Sequence, residues 1–279
     1  MNQQQSVLGI LAPRGPGAAT PSDLGVPVAF IDPSGPLWTN EFFRSNAGVR
    51  SAILFIPSEG HNPLIGQGTQ LDELLPEPSP SVAVVTLPTH VTGVLAAIRD
   101  SSQLLPQRAR FVAQVRQHAR RSYAGAWVKR VGHLSHPAPS VIQHLASWSP
   151  ITGGKFATLT PASAVSSMPA SPTTPVEKTT VRVLRTSATV PPPVQGKLTA
   201  AYSPTHQEIL AAGHSLRARW GTEASIEYVM TPDPRGMRLP APDGHCGTCG
   251  DPVWQACPFC HLRGAVQEAP ETGPEDATA

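Results

Sequence analysis

The four cysteines of this chain lie within fifteen residues of one another and constrain its fold more than any other feature. Cys246, Cys249, Cys257 and Cys260 form two C-x2-C pairs separated by seven residues, and no other cysteine occurs in the 279-residue chain. A gap of two residues lets both sulfurs of a pair turn towards one point, so two such pairs supply four thiolates to a single tetrahedral ion. The spacing therefore predicts a metal site made of sulfur alone, with one structural Zn²⁺ as its ion.

The segment that carries the two pairs is too short to have a hydrophobic core of its own. Residues 250–256, between the pairs, have room for a turn and a short strand through Val253 and Trp254. Metal binding would therefore supply most of the folding free energy of such a hairpin, on the order of 10 kcal/mol. Residues 244–262 resemble a zinc ribbon, including the C-P-x-C form of the second pair. The resemblance implies a structural zinc held by the four cysteines.

Three other uses of these residues are compatible with the same spacing. Disulfide bonds would require an oxidising compartment, and a redox pair or iron–sulfur site would use the same thiolate ligands. His245 or His261, which flank the pairs, would also serve as a ligand in place of one cysteine. Structural zinc is favoured over these alternatives because four thiolates already close a tetrahedral shell.

The composition and the start of the chain indicate its cellular setting. The chain has 32 prolines and 23 glycines, and only 14% of its residues are charged, against about a quarter in typical globular proteins. The first residues have no basic region before their short apolar stretch, which is not typical of a signal peptide. No eighteen consecutive apolar residues occur, so no membrane span is expected. We therefore expect a cytoplasmic protein with reduced cysteines and no membrane partner.

Residues 99–136 form the most unevenly charged part of the chain, with eight basic side chains against the single Asp100. A helix is predicted from Pro106 towards Trp127, because its apolar positions fall on one face at about 100° per residue. The arginines fall mostly on the other face and would offer bidentate donors to phosphates. An acidic protein partner or an ordinary solvated helix face would explain the same run of charge. The predicted nucleic-acid-binding residues are Arg108, Arg110, Arg116, Arg120, Arg121, Lys129 and Arg130.

The pattern along the chain predicts a multidomain α+β or α/β protein whose N-terminal part is a mixed sheet with helices. Three apolar runs, Val26–Ile31, Ala52–Ile56 and Val82–Leu87, are typical of buried strands. Residues 156–176 are mostly Ala, Ser, Thr and Pro, which is typical of a linker. The predicted organisation is a flexible N-terminus (1–25), an N-terminal α/β domain with the basic helix (26–150), a linker (151–178), a small α+β module (179–240), the zinc ribbon (241–264) and a disordered acidic tail (265–279).

The small α+β module is predicted to hold one helix between two strands. Apolar and polar residues alternate in 179–190, which predicts a strand that ends at three prolines. The residues Ser225–Met230 are predicted to form the second strand. Ser203-Pro204 is typical of a helix start, and the periodic apolar residues that follow it extend to Trp220.

The motifs favour a binding protein over an enzyme. Asp32, Glu59 and His61 follow predicted strands and would meet at one edge of a parallel sheet. They form no catalytic motif and also suit ordinary turns, so a hydrolase is the weakest hypothesis. The leading hypothesis is a non-enzymatic accessory factor in a DNA transaction (transcription, replication or recombination), with nucleic acid or a DNA-acting protein as its partner. The alternative is a protein-interaction or assembly component of a virus or mobile element, in which the zinc is only structural.

Overall fold

The fold is mixed α and β, with several sheets and helices, and this confirms the predicted fold class. The computed structural model describes residues 6–12, 24, 26–32, 42, 44–46, 51–57, 81–134, 136–147, 154–170, 182–210, 214–222, 225–232, 237–254, 256–260 and 266–267. The strands are β1 (Ser6–Leu11), β2 (Val28–Ile31), β3 (Ser51–Pro57), β4 (Ser81–Leu87), β5 (Tyr123–Val128), β6 (Lys155–Thr160), β7 (Ala164–Ser166), β8 (Arg182–Thr186), β9 (His206–Ile209), β10 (Ser225–Pro232), β11 (Gly244–Cys246), β12 (Pro252–Val253) and β13 (Val266–Gln267). The helices are α1 (Val91–Ser101), α2 (Arg108–Arg121), α3 (Val141–Ser147), α4 (Pro192–Tyr202) and α5 (Leu216–Trp220).

A four-stranded parallel sheet, in the order β2-β1-β3-β4, forms the first layer. Three of its strands coincide with the apolar runs that predict buried strands. β1 lies in the stretch predicted to be a flexible N-terminus, and that prediction is wrong for residues 6–11. Gly9 interrupts the apolar pattern of β1 because a Cβ there would come within 2.6 Å of Ile31 Cδ1 and 2.7 Å of Leu54 Cδ2. The strand therefore belongs to a closely packed interior.

A six-stranded sheet, in the order β7-β6-β5-β10-β8-β9, forms the second layer. β6 and β7 lie within the predicted linker, so the linker prediction fails for residues 155–160 and 164–166. Their small residues are compatible with strands because Phe156 and Val165 are buried in the cores on either face of the sheet. β5 pairs with β10 and β6, although the sequence pattern places its residues in the N-terminal domain.

The helices differ from the predicted ones at three places. α2 ends at Arg121, and Trp127 lies in β5. Residues 203–220 contain the strand β9 and the short helix α5 instead of one continuous helix. α4 begins at the prolines that suggested a break, because proline suits the first turn of a helix. Within the described ranges, none of the helices is both long and apolar enough to cross a bilayer.

Helices α1 and α2 share one hydrophobic core with both sheets. This core joins Phe55 of the first sheet to Val94 and Val115 of the helices and to Val229 of the second sheet. Phe55 and Phe111 meet edge to face, with ring centroids 6.2 Å apart. Burial of each such side chain contributes about 1.5–3 kcal/mol, so the shared core fixes the position of α2.

A buried ion-pair network ties α1 and α2 to the second sheet. Arg185 on β8 donates hydrogen bonds from Nη1 and Nη2 to the carboxylate of Asp100, at 2.8 and 2.7 Å. His118 of α2 contacts the same carboxylate, with Nε2 2.7 Å from Oδ2. Burial alone would raise the pKa of Asp100, but the hydrogen bond from His118 and the charge of Arg185 lower it. Asp100, the one acidic residue of the basic stretch 99–136, is therefore part of a buried ion-pair network that holds the helices against the second sheet.

A second buried carboxylate, that of Glu227 on β10, sits at the N-terminus of α1. Its Oε2 accepts hydrogen bonds from Thr92 Oγ1 at 2.6 Å and from Thr92 N at 3.1 Å, and its Oε1 accepts one from Trp220 Nε1 at 3.0 Å. His90 Nδ1 lies 3.2 Å from Oε2, and His214 Nε2 lies 3.1 Å from Oε1 without hydrogen-bond alignment. A helix N-terminus attracts negative charge, so Glu227 fills the anion-binding position of α1 from inside the protein.

The environment of Glu227 favours its charged form. Burial alone would raise the pKa of Glu227, but the charges of His214 and His90 hold it well below its ordinary value. Burial alone would lower the pKa of His90, but the neighbouring Glu227 carboxylate raises it above its ordinary value. The carboxylate and the imidazoles therefore stabilise one another in the folded state.

We expect Glu227→Gln to lower the free energy of unfolding by about 3–5 kcal/mol, because it leaves a buried histidine without its counter-charge. The lowered pKa of Glu227 adds stability above about pH 4.3, and this stability is lost as the pH falls further. The raised pKa of His90 adds stability below about pH 6.5, which is lost as the pH rises through its folded-state pKa. The loss in Glu227→Gln should therefore be greatest between these two values.

Urea unfolding of the wild type and the variant across pH 4–8 measures this effect. Glu208→Gln is the control, because the Glu208 side chain is 34% exposed and its buried partner Arg185 keeps two hydrogen bonds to Asp100. Parallel pH profiles for the wild type and Glu227→Gln would show that Glu227 has no such role.

Candidate functional site

The C-terminal hairpin is built from very short strands and a tight turn. β11 pairs with β12 and β13, with Gly244 opposite Val253. Cys246 N donates to Asp251 O at 2.9 Å, and Gly250 N donates to Cys246 O at 2.9 Å. Gly250 has φ of 72°, a left-handed conformation that glycine adopts without strain. This turn brings the first C-x2-C pair back towards the second.

The four cysteine sulfurs converge on one point. The four Sγ atoms of Cys246, Cys249, Cys257 and Cys260 all lie within 4.8 Å of one another, and the Cys249 and Cys257 Sγ atoms are 3.6 Å apart. All four cysteines are free thiols. Four sulfurs at about 2.3 Å from a tetrahedral zinc would be roughly 3.8 Å apart, so the donor set fits a single metal ion. His245 is exposed, and His261 lies outside the described residues.

The knuckle of the first pair favours a thiolate. The backbone N–H groups of Cys249 and Thr248 lower the pKa of the Cys246 thiol to about 6. Burial raises the pKa of the Cys249 and Cys260 thiols in the metal-free protein. A bound cation would offset this cost, because metal ligation deprotonates a coordinating thiol.

Arg108, at the start of α2, attaches the hairpin to the rest of the molecule. Its Nε donates to Asp251 Oδ2 at 3.1 Å, and its guanidinium lies 4.4 Å from the centroid of the Phe259 ring. Cys246, Cys257 and Phe259 are buried in the core that α1 and α2 share with the sheets. Arg108 was predicted to bind nucleic acid, but the structure places its charge against the hairpin.

A cavity of about 290 Å³ lies between α2 and the hairpin region. Its lining is mainly apolar, and its size is close to the lower end of the range for small-molecule sites. The residues from α2 are Ala109, Val112, Ala113, Arg116, Gln117 and Arg120, and those from the opposite wall are Leu239, Pro240, Asp243, Pro252, Trp254, Ala256 and Pro258.

Two guanidinium groups give the cavity a positive rim. Arg116 and Arg120 are one helical turn apart, and no ion pair involves either of them among the described residues. Burial lowers the pKa of Arg116, and the like charge of Arg120 lowers it further. Gln117 Oε1 is buried without a hydrogen-bond donor in the described part of the chain. The one acidic residue of the lining, Asp243, is exposed.

The seven predicted nucleic-acid-binding residues have different surroundings in the structure. Arg110 is exposed and bonds Gln107 Oε1 at 3.2 Å through Nη1. Arg121, Lys129 and Arg130 are exposed, and the last two follow β5 instead of lying on α2. The seven basic residues therefore lie in three environments. Arg108 contacts the hairpin, Arg116 and Arg120 line the cavity, and the other four are exposed to solvent.

The predicted cluster at the edge of the first sheet is only partly described. Asp32 follows β2, whereas Glu59 and His61 lie outside the described residues. His90, which follows β4, is fully buried, and its Nε2 lies 2.9 Å from Tyr228 O. The imidazole at this edge therefore belongs to the buried Glu227 cluster.

The cavity wall that faces α2 was not predicted from the sequence. Trp254 lines the cavity and donates from Nε1 to Pro240 O at 3.0 Å. Gln117 Nε2 donates to Arg238 O at 3.1 Å and fixes the same segment against α2. The only local signal was the short apolar segment Leu239–Pro242 before the first cysteine, and such a segment does not indicate what it packs against.

No protein-family model and no curated protein matches this chain. Among solved structures, a DegV family protein from Corynebacterium glutamicum, Cg2579, matches with a TM-score of 0.55 and 11% identity, over 86% of this chain and 100% of that chain. A DegV family protein from Eubacterium eligens loaded with heptadecanoic acid matches with a TM-score of 0.47 and 8% identity, over 82% and 99% of the two chains. The Streptococcus pneumoniae fatty acid kinase (Fak) B3 protein loaded with linoleic acid matches with a TM-score of 0.48 and 8% identity, over 81% of this chain and 98% of that chain.

This similarity corrects the functional predictions. The fold match to a DegV family protein contradicts the hypothesis of an accessory factor in transcription, replication or recombination, and with it the prediction of nucleic acid or a DNA-acting protein as partner. The arginines that suggested it are divided between the hairpin, the cavity and solvent. The alternative, a protein-interaction or assembly component of a virus or mobile element, gains no support from this similarity either. At 11% identity the comparison shows the fold alone, and that fold is DegV-like.

Proposed function

We propose that this protein binds a ligand with an acyl chain and an anionic head group, such as a fatty acid, in the cavity between α2 and the hairpin. The observation that carries the proposal is the combination of an apolar lining with Arg116 and Arg120 at one end of the helical wall. Alkyl chains gain about 0.8 kcal/mol for each buried CH₂ group. A carboxylate gains charge-assisted hydrogen bonds from guanidinium groups.

The polarity of α2 gives the ligand an orientation. Ala109, Val112 and Ala113 lie towards the N-terminus of the helix, and Arg116 and Arg120 lie towards its C-terminus. The head group would lie at the two arginines, and the chain would run towards Ala109 and Pro258. The twelve residues from Ala109 to Arg120 span about 16 Å along the helix axis, so the wall can contact much of an extended acyl chain.

The DegV fold supports this class of ligand. Fatty acids are named with the Eubacterium eligens and Streptococcus pneumoniae proteins that have related folds. Their similarity to this chain does not locate a site, so the proposed location rests on the cavity of this protein alone.

We expect the purified protein to bind palmitate and Arg116→Gln to weaken that binding by about 10- to 100-fold, because a hydrogen bond to a charged group contributes about 1.5–3 kcal/mol. Hexadecanol, which has the same chain without the charge, should bind equally to the wild type and the variant. Isothermal titration calorimetry with both ligands measures the difference.

Arg121→Gln is the matched control, because Arg121 lies on the same helix but does not line the cavity. If Arg121→Gln and Arg116→Gln weaken palmitate binding equally, the effect is general electrostatic attraction and the site is elsewhere. A wild-type protein that binds neither ligand would refute the proposal.

We propose further that the four cysteines hold one structural Zn²⁺. The convergence of four free sulfurs and the backbone donors to Cys246 support a thiolate site. Four sulfurs complete a tetrahedral shell, so the ion would have no open position for water and would stabilise the hairpin without acting in catalysis.

Metal analysis of protein purified under reducing conditions should give one zinc per chain, and Cys257→Ser should lower that content well below one. His245→Ala is the control, because His245 is exposed beside the site and should leave the zinc content unchanged. Iron with sulfide in the same preparation would instead indicate an iron–sulfur site, and absence of metal would refute the assignment.

A further inference from the structure

We infer that zinc occupancy of the four-cysteine site controls ligand binding in the cavity, so that the metal-free protein loses its affinity for the acyl ligand. This inference rests on the proposed function and adds a regulation of the same site. Its physical basis is that the two walls of the cavity belong to different parts of the molecule, one to α2 and the other largely to the hairpin.

One wall belongs to the rigid part of the molecule and the other belongs largely to the hairpin. α2 forms the first wall, and the shared core and the Asp100 network fix its position. Pro252, Trp254, Ala256 and Pro258 lie on the second wall, and all four fall between Cys249 and Cys260 in the sequence. The sulfurs that bracket these residues therefore determine where the second wall lies.

Little besides the cysteines holds the hairpin in its folded form. β11 has three residues, and β12 and β13 have two each. Its buried side chains are Cys246, Val253, Cys257, Pro258 and Phe259, and two of these are sulfur ligands. Such a short element does not repay its ordering entropy by itself, so loss of the ion should unfold this segment first.

Docking of the hairpin and closure of the cavity use neighbouring positions on α2. Arg108 contacts Asp251, and Asp251 Oδ2 lies 3.6 Å from Cys249 Sγ. The next residue of α2, Ala109, is the first that lines the cavity. Cys249 of the four-cysteine site therefore contacts Asp251, Asp251 pairs with Arg108, and the cavity wall of α2 begins at the next residue.

Because the metal and the ligand both bind the docked hairpin, each should strengthen binding of the other. Thermodynamic linkage makes this effect reciprocal, with typical factors of about 5- to 150-fold. Palmitate should therefore retain zinc, and zinc should retain palmitate, without any contact between them.

The test compares zinc-loaded full-length protein with protein dialysed against EDTA and dithiothreitol, which removes metal and keeps the thiols reduced. We expect palmitate to bind the zinc-free protein about 10- to 100-fold more weakly, and readdition of zinc to restore binding. We also expect palmitate to slow the transfer of zinc to the chromogenic chelator 4-(2-pyridylazo)resorcinol. Circular dichroism of the zinc-free protein should keep the signal of the two large sheets and their helices.

Trp254→Ala separates the cavity wall from the metal shell. The Trp254 side chain lines the cavity, and it is not one of the four ligands. This variant should keep one zinc per chain, bind palmitate more weakly, and lose the protection of zinc by palmitate. Arg121→Gln should behave as the wild type in every measurement.

The possible failures are distinguishable. If the zinc-loaded protein does not bind palmitate, the proposed function fails and the coupling fails with it. If palmitate binds zinc-loaded and zinc-free protein equally, only the coupling is refuted. Complete unfolding of the zinc-free chain would also refute it, because the inference requires selective loss of the hairpin wall.

Discussion

The burial of α2 between the two sheets is the constraint on which the rest of the structure depends. One face of this helix contributes Phe111, Val112 and Val115 to the shared core. Its first residue, Arg108, holds the C-terminal hairpin, and an adjacent face forms a wall of the cavity. Because the core fixes α2 on one side, the hairpin and the segment before it have a rigid surface to dock against.

The buried Glu227 cluster limits where a ligand can bind. The N-terminus of a helix beside the carboxyl end of a parallel strand is a common place for an anion. At the start of α1 this position is taken by the carboxylate of Glu227, which accepts bonds from Thr92 and Trp220 and contacts two histidines. A ligand carboxylate would have to displace a fully buried side chain to bind there, whereas the cavity at α2 has cations without carboxylate partners in the described structure.

Features that depend on residues close together in the sequence could be predicted from the sequence alone. The spacing of the four cysteines predicts their convergence, and the apolar runs predict β2, β3 and β4, because both patterns are local. The strand β6 and the position of the arginines depend on distant residues. The Ala/Thr-rich segment of β6 becomes a strand because β5, about thirty residues earlier in the chain, pairs with it. Arg116 faces a cavity whose other wall begins at Leu239, and no local pattern distinguishes that setting from solvent.

The positions of the two cavity arginines argue for an anionic ligand over a purely structural role. Cations in the last turn of a helix interact favourably with its dipole, and this accounts for Arg120 and Arg121. Arg116 lies further from the helix end, is partly buried, and has a like charge one turn away. Such a pair destabilises a helix by a few tenths of a kcal/mol, and burial of the guanidinium adds to that cost. An anionic head group between the two guanidinium groups would offset both costs, because neither arginine forms an ion pair among the described residues, although the exposed Asp243 also lines the cavity.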